Sequence, residues 1–151
     1  MRFIICWILM LAIFGSSNIA PAPKAASKCD NVRGTVEAEI IGSNADCAVV
    51  IVGDVFDVAG THIGTTMACV ISADEKGNTL HAELTHDYSI GNLNFSTVDE
   101  GVLTPIAPGL FRFENRLTIV DGASGFLRAH GTVNFANGEI NLAFSGQVCA
   151  E

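Results

Sequence analysis

The chain has 151 residues, of which 49% are hydrophobic, and this suits one domain with a sizeable apolar core. Its formal net charge is −8, and an acidic excess of this size repels nucleic acids and anionic membranes. Neither is therefore expected as a partner.

The N-terminus has the pattern of a secretory signal peptide. Arg2 supplies a positive charge, residues 3–14 form an unbroken apolar run, and small residues follow it. The run is shorter than the ~20 residues needed to span a bilayer. We expect residues 1–20 to be cleaved, and an uncleaved anchor is the alternative.

Two further parts follow the predicted signal peptide. Residues 21–28 (PAPKAASK) predict a flexible leader, and residues 29–151 show no second shift in composition, so they predict a single domain. Cleavage removes one basic residue and no acid, which leaves 7 Lys and Arg against 16 Asp and Glu, a net charge of −9. The predicted location is secreted or periplasmic, without membrane attachment after cleavage.

The predicted mature chain holds an even set of cysteines, which in an exported protein predicts disulfides. They are Cys29, Cys47, Cys69 and Cys149. A zinc site is the alternative, but the four are widely spaced and form no C-x-x-C pair. We therefore expect no metal and no cofactor.

The spacing of the cysteines predicts two pairs. The midpoint of Cys47 and Cys69 falls at residue 58, in an expected hairpin turn, so the two would face each other across antiparallel strands. Cys29 and Cys149 remain. They precede the first strand and end the last, which lie side by side in a closed barrel.

Alternation of apolar and polar residues with a period of two recurs along the domain, and no segment has convincing helical periodicity. The predicted strands are 32–40, 47–58, 61–72, 79–90, 93–98 (with 101–104 as an extension), 110–120, 129–135 and 140–149. Asn137-Gly138 is the strongest hairpin signal. Eight strands linked by short hairpins predict an antiparallel β-barrel, with a β-sandwich as the alternative.

The second predicted strand is apolar on both faces. Val49, Ile51 and Val55 lie on one face, and Val50 and Val52 lie on the other. An exposed apolar face is unusual for a monomer. We expect the leader or a second subunit to cover it.

Residues 101–126 (GVLTPIAPGLFRFENRLTIVDGASGF) resemble a segment of secreted bacterial proteins of the allene oxide cyclase-like barrel group, distant relatives of plant dirigent proteins. Those proteins carry LTP-x-GPG, a strand, and a GGTGRFAGATG turn. The resemblance covers about residues 60–148, and the turn departs from the family pattern at Asp121. It implies an eight-stranded antiparallel barrel with an apolar lumen, often trimeric in the plant relatives, and it transfers no activity. The resemblance therefore favours a homo-oligomer over the leader as the cover of the second strand.

Three polar residues are predicted to point into the barrel. If Leu80 and Leu84 face inward, strand parity also places His86 and Tyr88 inside, and the sixth strand places Asn115 there. A few polar groups on an apolar wall are typical of a ligand pocket. The alternative is a set of core residues bonded to one another. We expect a neutral His86 bonded to Tyr88 or Asn115.

Other polar clusters have simpler interpretations. His81 and Glu83 form an H-x-E pair without a third ligand, so they predict a solvated face. Asp54 and Asp57 are too few for a calcium loop and predict roles in a turn and at a strand end. No nucleophile motif or phosphate-binding loop occurs.

Three hypotheses for function remain open. The first is a barrel that binds a small apolar molecule in its lumen. The second is a cofactor-free cyclase or isomerase that uses His86, Tyr88 and Asn115 to polarise a carbonyl or move a proton. The third is a structural or interaction module with a filled lumen. A cavity in the structure would favour the first two.

Overall fold

A computed structural model describes residues 28–150, which form eight β-strands joined by short turns. The strands are β1 (Cys29–Gly42), β2 (Val49–Asp57), β3 (His62–Lys76), β4 (Thr79–Ile90), β5 (Leu93–Ala107), β6 (Leu110–Asp121), β7 (Ser124–Asn134) and β8 (Glu139–Cys149). The predicted signal peptide, 1–20, and all but the last residue of the predicted leader, 21–28, lie outside the described residues.

The sheet is a closed barrel. Each strand pairs antiparallel with the next along the chain, and β1 pairs antiparallel with β8. The predicted all-β class and eight-stranded barrel are confirmed, and the sandwich alternative is wrong. We call the rim where β1 begins and β8 ends the Cys29 end, and the opposite rim the Gly42 end.

Strand alternation directs apolar residues into the barrel. Along β4, burial alternates from Ala82 to Tyr88, with every second side chain exposed. β6 alternates in the same way from Phe113 to Ile119. At the predicted Asn137-Gly138 turn, Gly138 has a positive φ of 79° and the Glu139 N–H donates to Asn137 Oδ1 at 3.1 Å.

β5 is longer than the sequence predicts. The prediction ended the strand at residue 98, with 101–104 as an extension, but β5 continues without interruption to Ala107. Gly101 lies opposite Asn115, and the Phe113 ring packs where a Gly101 side chain would stand. β7 likewise begins at Ser124, five residues earlier than predicted.

The core has two parts, one toward each rim. The cluster toward the Cys29 end contains Tyr88, Phe95, Leu117, Ile119 and Leu127 among its buried members, and Leu117 is only 1% exposed. The cluster toward the Gly42 end includes Leu84, Leu103, Phe113, Val133 and Ile140. The largest fully buried apolar side chains, Leu117 and Leu127 among them, belong to the cluster toward the Cys29 end.

Both predicted disulfides are present. Cys29 and Cys149 are directly paired across β1 and β8, with Cα atoms 3.9 Å apart, as barrel closure predicts. Cys47 bonds to Cys69 with Cα atoms 5.2 Å apart. The predicted register is wrong, however, because Cys69 lies opposite Val50 and Cys47 precedes β2. The bond ties the loop before β2 to β3.

Candidate functional site

The three predicted site residues are all buried on the inner face. His86 and Tyr88 lie on β4, whose register with β5 is uninterrupted from Leu80 to Ile90. Asn115 lies on β6, where residues 110–118 pair regularly with β7. No β-bulge reverses either face, so the parity argument holds. The ligand-binding role of the three stays a prediction.

Aromatic stacking fixes the rings of β4. The His86 and Tyr88 rings stack with centroids 5.6 Å apart, and the Tyr88 and Phe95 rings stack at 4.9 Å. Offset stacking of this kind adds about 0.5–1.5 kcal/mol to the burial of the rings. Tyr88 is therefore held on two sides by neighbours in the lumen.

Asp99 is a further residue of the site that the sequence prediction missed. It faces inward from β5 and is 1% exposed. Its Oδ2 contacts His86 Nδ1 and accepts a hydrogen bond from Asn115 Nδ2 at 3.3 Å. The prediction that His86 bonds to Tyr88 or Asn115 is wrong: its polar partner is Asp99, and its contact with Tyr88 is a stacked ring.

A signal for Asp99 was present in the sequence. Phe95, Thr97, Asp99, Gly101 and Leu103 continue one alternation, and all five are buried. A break assigned at residue 98 removed Asp99 from that pattern. We call Thr66, His86, Tyr88, Asp99 and Asn115 the polar cluster.

Some polar atoms near the cluster lack partners. Among residues 28–150, Asp99 Oδ1, Asn115 Oδ1, Thr97 Oγ1 and His86 Nδ1 are buried and make no hydrogen bond, although His86 Nδ1 lies in ion-pair contact with Asp99 Oδ2. A buried polar atom without a partner costs about 1–3 kcal/mol, so native proteins seldom leave several together. Four such atoms in one region are typical of a site that a ligand or water completes.

Burial also affects the phenol of Tyr88. Loss of hydration raises the pKa of Tyr88 far above its ordinary value of 10.0, and the negative charge of Asp99 raises it further. A hydrogen bond with the Thr66 side chain acts in the opposite direction. The hydroxyl is therefore neutral across the physiological range.

A cavity of about 200 Å³ occupies the lumen. Its wall is apolar except for Thr66, His86, Tyr88 and Asn115. Ala73 and Phe135, near the Gly42 end, line it and are also exposed to solvent. The cavity therefore opens at the Gly42 end.

The lumen contains no basic side chain other than His86. Every Lys and Arg in the part of the chain that the structure describes is exposed on the outer face or at a rim, as are most of the acids. Asp99 is the one buried carboxylate among these residues. His86 is consequently its only candidate counter-charge inside the barrel.

The outer face carries a wider, shallow groove across β1 to β5, lined by carboxylates such as Glu37, Asp54 and Asp87. Asp87 accepts from Ser96 at 2.6 Å, and Asp54 contacts His62 at 3.0 Å. Within residues 28–150 no three His, Cys, Asp or Glu side chains gather closely enough to hold a metal ion.

The remaining sequence-predicted polar residues lie outside the lumen. Asp57 Oδ1 accepts from the Ala59 and Thr61 N–H groups at 2.8 and 2.9 Å, in the turn role predicted for it. Glu83 is exposed and accepts from Ser72 at 3.3 Å, and His81 is half-buried next to it.

The site thus belongs to a class of small barrels with an apolar lumen and a few buried polar groups. Comparison with protein-family models, curated proteins and solved structures gave no significant match. The two disulfides are compatible with an extracellular location. Among the described residues, no helix has the length and hydropathy to cross a membrane.

Proposed function

We propose that the barrel binds a small, largely apolar molecule in its lumen, in a secreted or periplasmic setting. The observation that carries this proposal is the open apolar cavity with unpartnered polar atoms at its polar cluster. Ligand pockets typically combine an apolar wall with few polar groups that fix orientation. The cavity argues against a structural module with a filled lumen.

Cavity size bounds the ligand. A protein cavity of about 150 Å³ lined by apolar side chains is large enough for benzene. The lumen, at about 200 Å³, accommodates a molecule somewhat larger, such as a ring with a short substituent. The exposed lining residues Ala73 and Phe135 make the Gly42 end the route of entry.

A second candidate function rests on the contact between His86 Nδ1 and Asp99 Oδ2. A carboxylate that accepts from Nδ1–H holds a neutral imidazole in the tautomer whose Nε2 is basic. Such a pair serves as a general base, as a cofactor-free cyclase or isomerase requires. Kinship with the allene oxide cyclase-like and dirigent-like barrels remains part of this proposal, which the shared architecture supports.

Narrowing the lumen tests the binding proposal. Ala82 lines the cavity from β4, and Ala82→Leu places three additional carbons inside it. We expect this variant to lose at least about tenfold in affinity for apolar probes such as ethylbenzene, because the added side chain occupies their space. NMR titration of the protein with both disulfides intact measures the change.

Thr85→Leu is the matched control, because Thr85 lies on the same strand with its side chain exposed outside the barrel. It should bind the probe like the unsubstituted protein. Equal affinity in both variants, or no binding by the unsubstituted protein, contradicts the proposal. Recovery of a bound molecule as a different isomer after incubation would favour the enzyme over the binding protein.

A further inference from the structure

The polar cluster constrains the chemistry of the ligand, on the assumption that the lumen binds one as proposed above. The constraint comes from Asp99, because an ionised carboxylate can only accept hydrogen bonds. Both of its inward neighbours turn their donors toward it. Asp99 therefore determines which atoms of His86 and Asn115 are available to a ligand.

Asn115 has one orientation in this arrangement. Its Nδ2 donates to Asp99 Oδ2, so its oxygen cannot occupy the same place without two acceptors facing each other. Asn115 lines the cavity, and its Oδ1 accepts no hydrogen bond from the described residues. Asn115 therefore offers a hydrogen-bond acceptor.

His86 is oriented in the same way. With Nδ1 in ion-pair contact with Asp99 Oδ2, the proton of a neutral imidazole lies on Nδ1, and Nε2 carries the lone pair. His86 also lines the cavity. The two side chains under the control of Asp99 consequently present acceptors to the same ligand.

The charge inside the barrel also restricts which ligands can bind. Asp99 contributes one negative charge, and His86 contributes at most one positive charge, so the two together are neutral or negative. A bound carboxylate would leave a net negative charge in the lumen, which carries a large desolvation cost. A neutral ligand adds none, and an ammonium group would balance Asp99.

From these observations we infer that the lumen selects apolar molecules that carry a hydrogen-bond donor and no negative charge: alcohols, phenols or amines. Carboxylates and molecules with acceptors alone are excluded or bind weakly. Asp99 is the positioning residue for this selectivity, and Asn115 and His86 are the groups that meet the ligand.

Four probes of similar size and shape separate the contributions of apolar contact, hydrogen bonding and charge to affinity. They are ethylbenzene, 1-phenylethanol, acetophenone and benzoate. Ethylbenzene has no polar group and 1-phenylethanol has a hydrogen-bond donor. Acetophenone has an acceptor only, and benzoate is an anion. Dissociation constants come from NMR titration at neutral pH. We expect 1-phenylethanol to bind about tenfold tighter than acetophenone, since only the alcohol completes an acceptor, and benzoate to bind weakest.

Asn115→Leu tests the assignment within the site, because leucine has a similar volume and no acceptor. The preference for 1-phenylethanol over acetophenone should fall by about threefold or more, while ethylbenzene affinity is kept or improved. Thr118→Val, exposed on the outer face of the same strand, is the control and should leave all four affinities unchanged.

The outcomes distinguish failure of this inference from failure of the proposed binding function on which it rests. If ethylbenzene binds but acetophenone or benzoate equals or exceeds the alcohol, the binding function stands and the inference is overturned. If none of the four probes binds, the proposed function fails and the inference fails with it. The titrations of the unsubstituted protein decide this even if Asn115→Leu does not fold.

Discussion

At the scale of single residues, the lumen depends on groups kept in one protonation or hydrogen-bonding state. Tyr88 shows this most directly, because it is the only tyrosine of the chain and its phenol is buried against Asp99. Any tyrosinate signal of the protein therefore reports this one position.

Alkaline pH should unfold the protein in part through Tyr88. Below pH 10.0, the ordinary pKa, the phenol is neutral in both the folded and the unfolded state. It therefore does not change the free energy of unfolding with pH in that range. Above it the unfolded state ionises first, because burial raises the folded pKa. The free energy of unfolding should then fall by about 1.4 kcal/mol per pH unit from this group.

Ultraviolet absorbance of tyrosinate measures this titration. The folded protein should show none near the ordinary pKa, and the signal should appear together with unfolding. Tyr88→Phe is the control: between neutral pH and about pH 11 it should lose less stability than the unsubstituted protein in urea denaturation. Reversible ionisation of the folded protein at an ordinary pKa would contradict this.

At the scale of strands and hairpins, two disulfides fix different parts of the barrel. Cys29–Cys149 joins β1 to β8 across 120 residues, whereas Cys47–Cys69 closes a separation of 22. Chain entropy favours the longer closure, because more conformations are removed from the unfolded state.

Loss of the longer link should therefore cost more. We expect Cys29→Ser with Cys149→Ser to lower the free energy of unfolding by about 5 kcal/mol, and Cys47→Ser with Cys69→Ser by about 3 kcal/mol. Urea denaturation of the two double variants, compared under identical conditions, gives both values. A larger loss from the Cys47 and Cys69 pair would show that loop length does not determine their relative contributions.

The elements also show what the sequence could predict. Hairpin signals and alternation identified eight strands, both cysteine pairs and the inward side of His86, Tyr88 and Asn115. Asp99 was missed because the predicted strand ended at residue 98, while pairing on both sides of β5 keeps the backbone extended beyond it. The register at Cys47 failed because the turn is centred one residue later than predicted, with Phe56 opposite His62, and the bulge between Val55 and Phe56 shifts the pairing by one more residue.

At the scale of the whole molecule, apolar side chains lie exposed on the outer face of β2 and β3, beside the carboxylates of the shallow groove. Val52 and Met67 are directly paired there, and Met67 and Ile71 are 52% and 51% exposed. Because a closed barrel offers no strand edge, association must use such a face. We propose that a second copy of the chain covers it.

Sedimentation velocity tests this homo-oligomer. The protein should sediment as an oligomer at micromolar concentration, and Met67→Lys should shift it to monomer, because a charge would be buried at the interface. Thr118→Lys, on the far outer face, should leave the oligomer intact. A monomer at all concentrations would contradict the proposal.

Closure of β1 on β8 also has a consequence for the order in which the chain folds. Seven of the strand pairings join neighbours in sequence and can form locally, but the eighth joins the two ends of the domain. Contacts so distant in sequence form slowly, because loop closure must precede them. A growing chain therefore cannot complete its barrel, or the lumen that β8 helps to line, until its last strand has been synthesised.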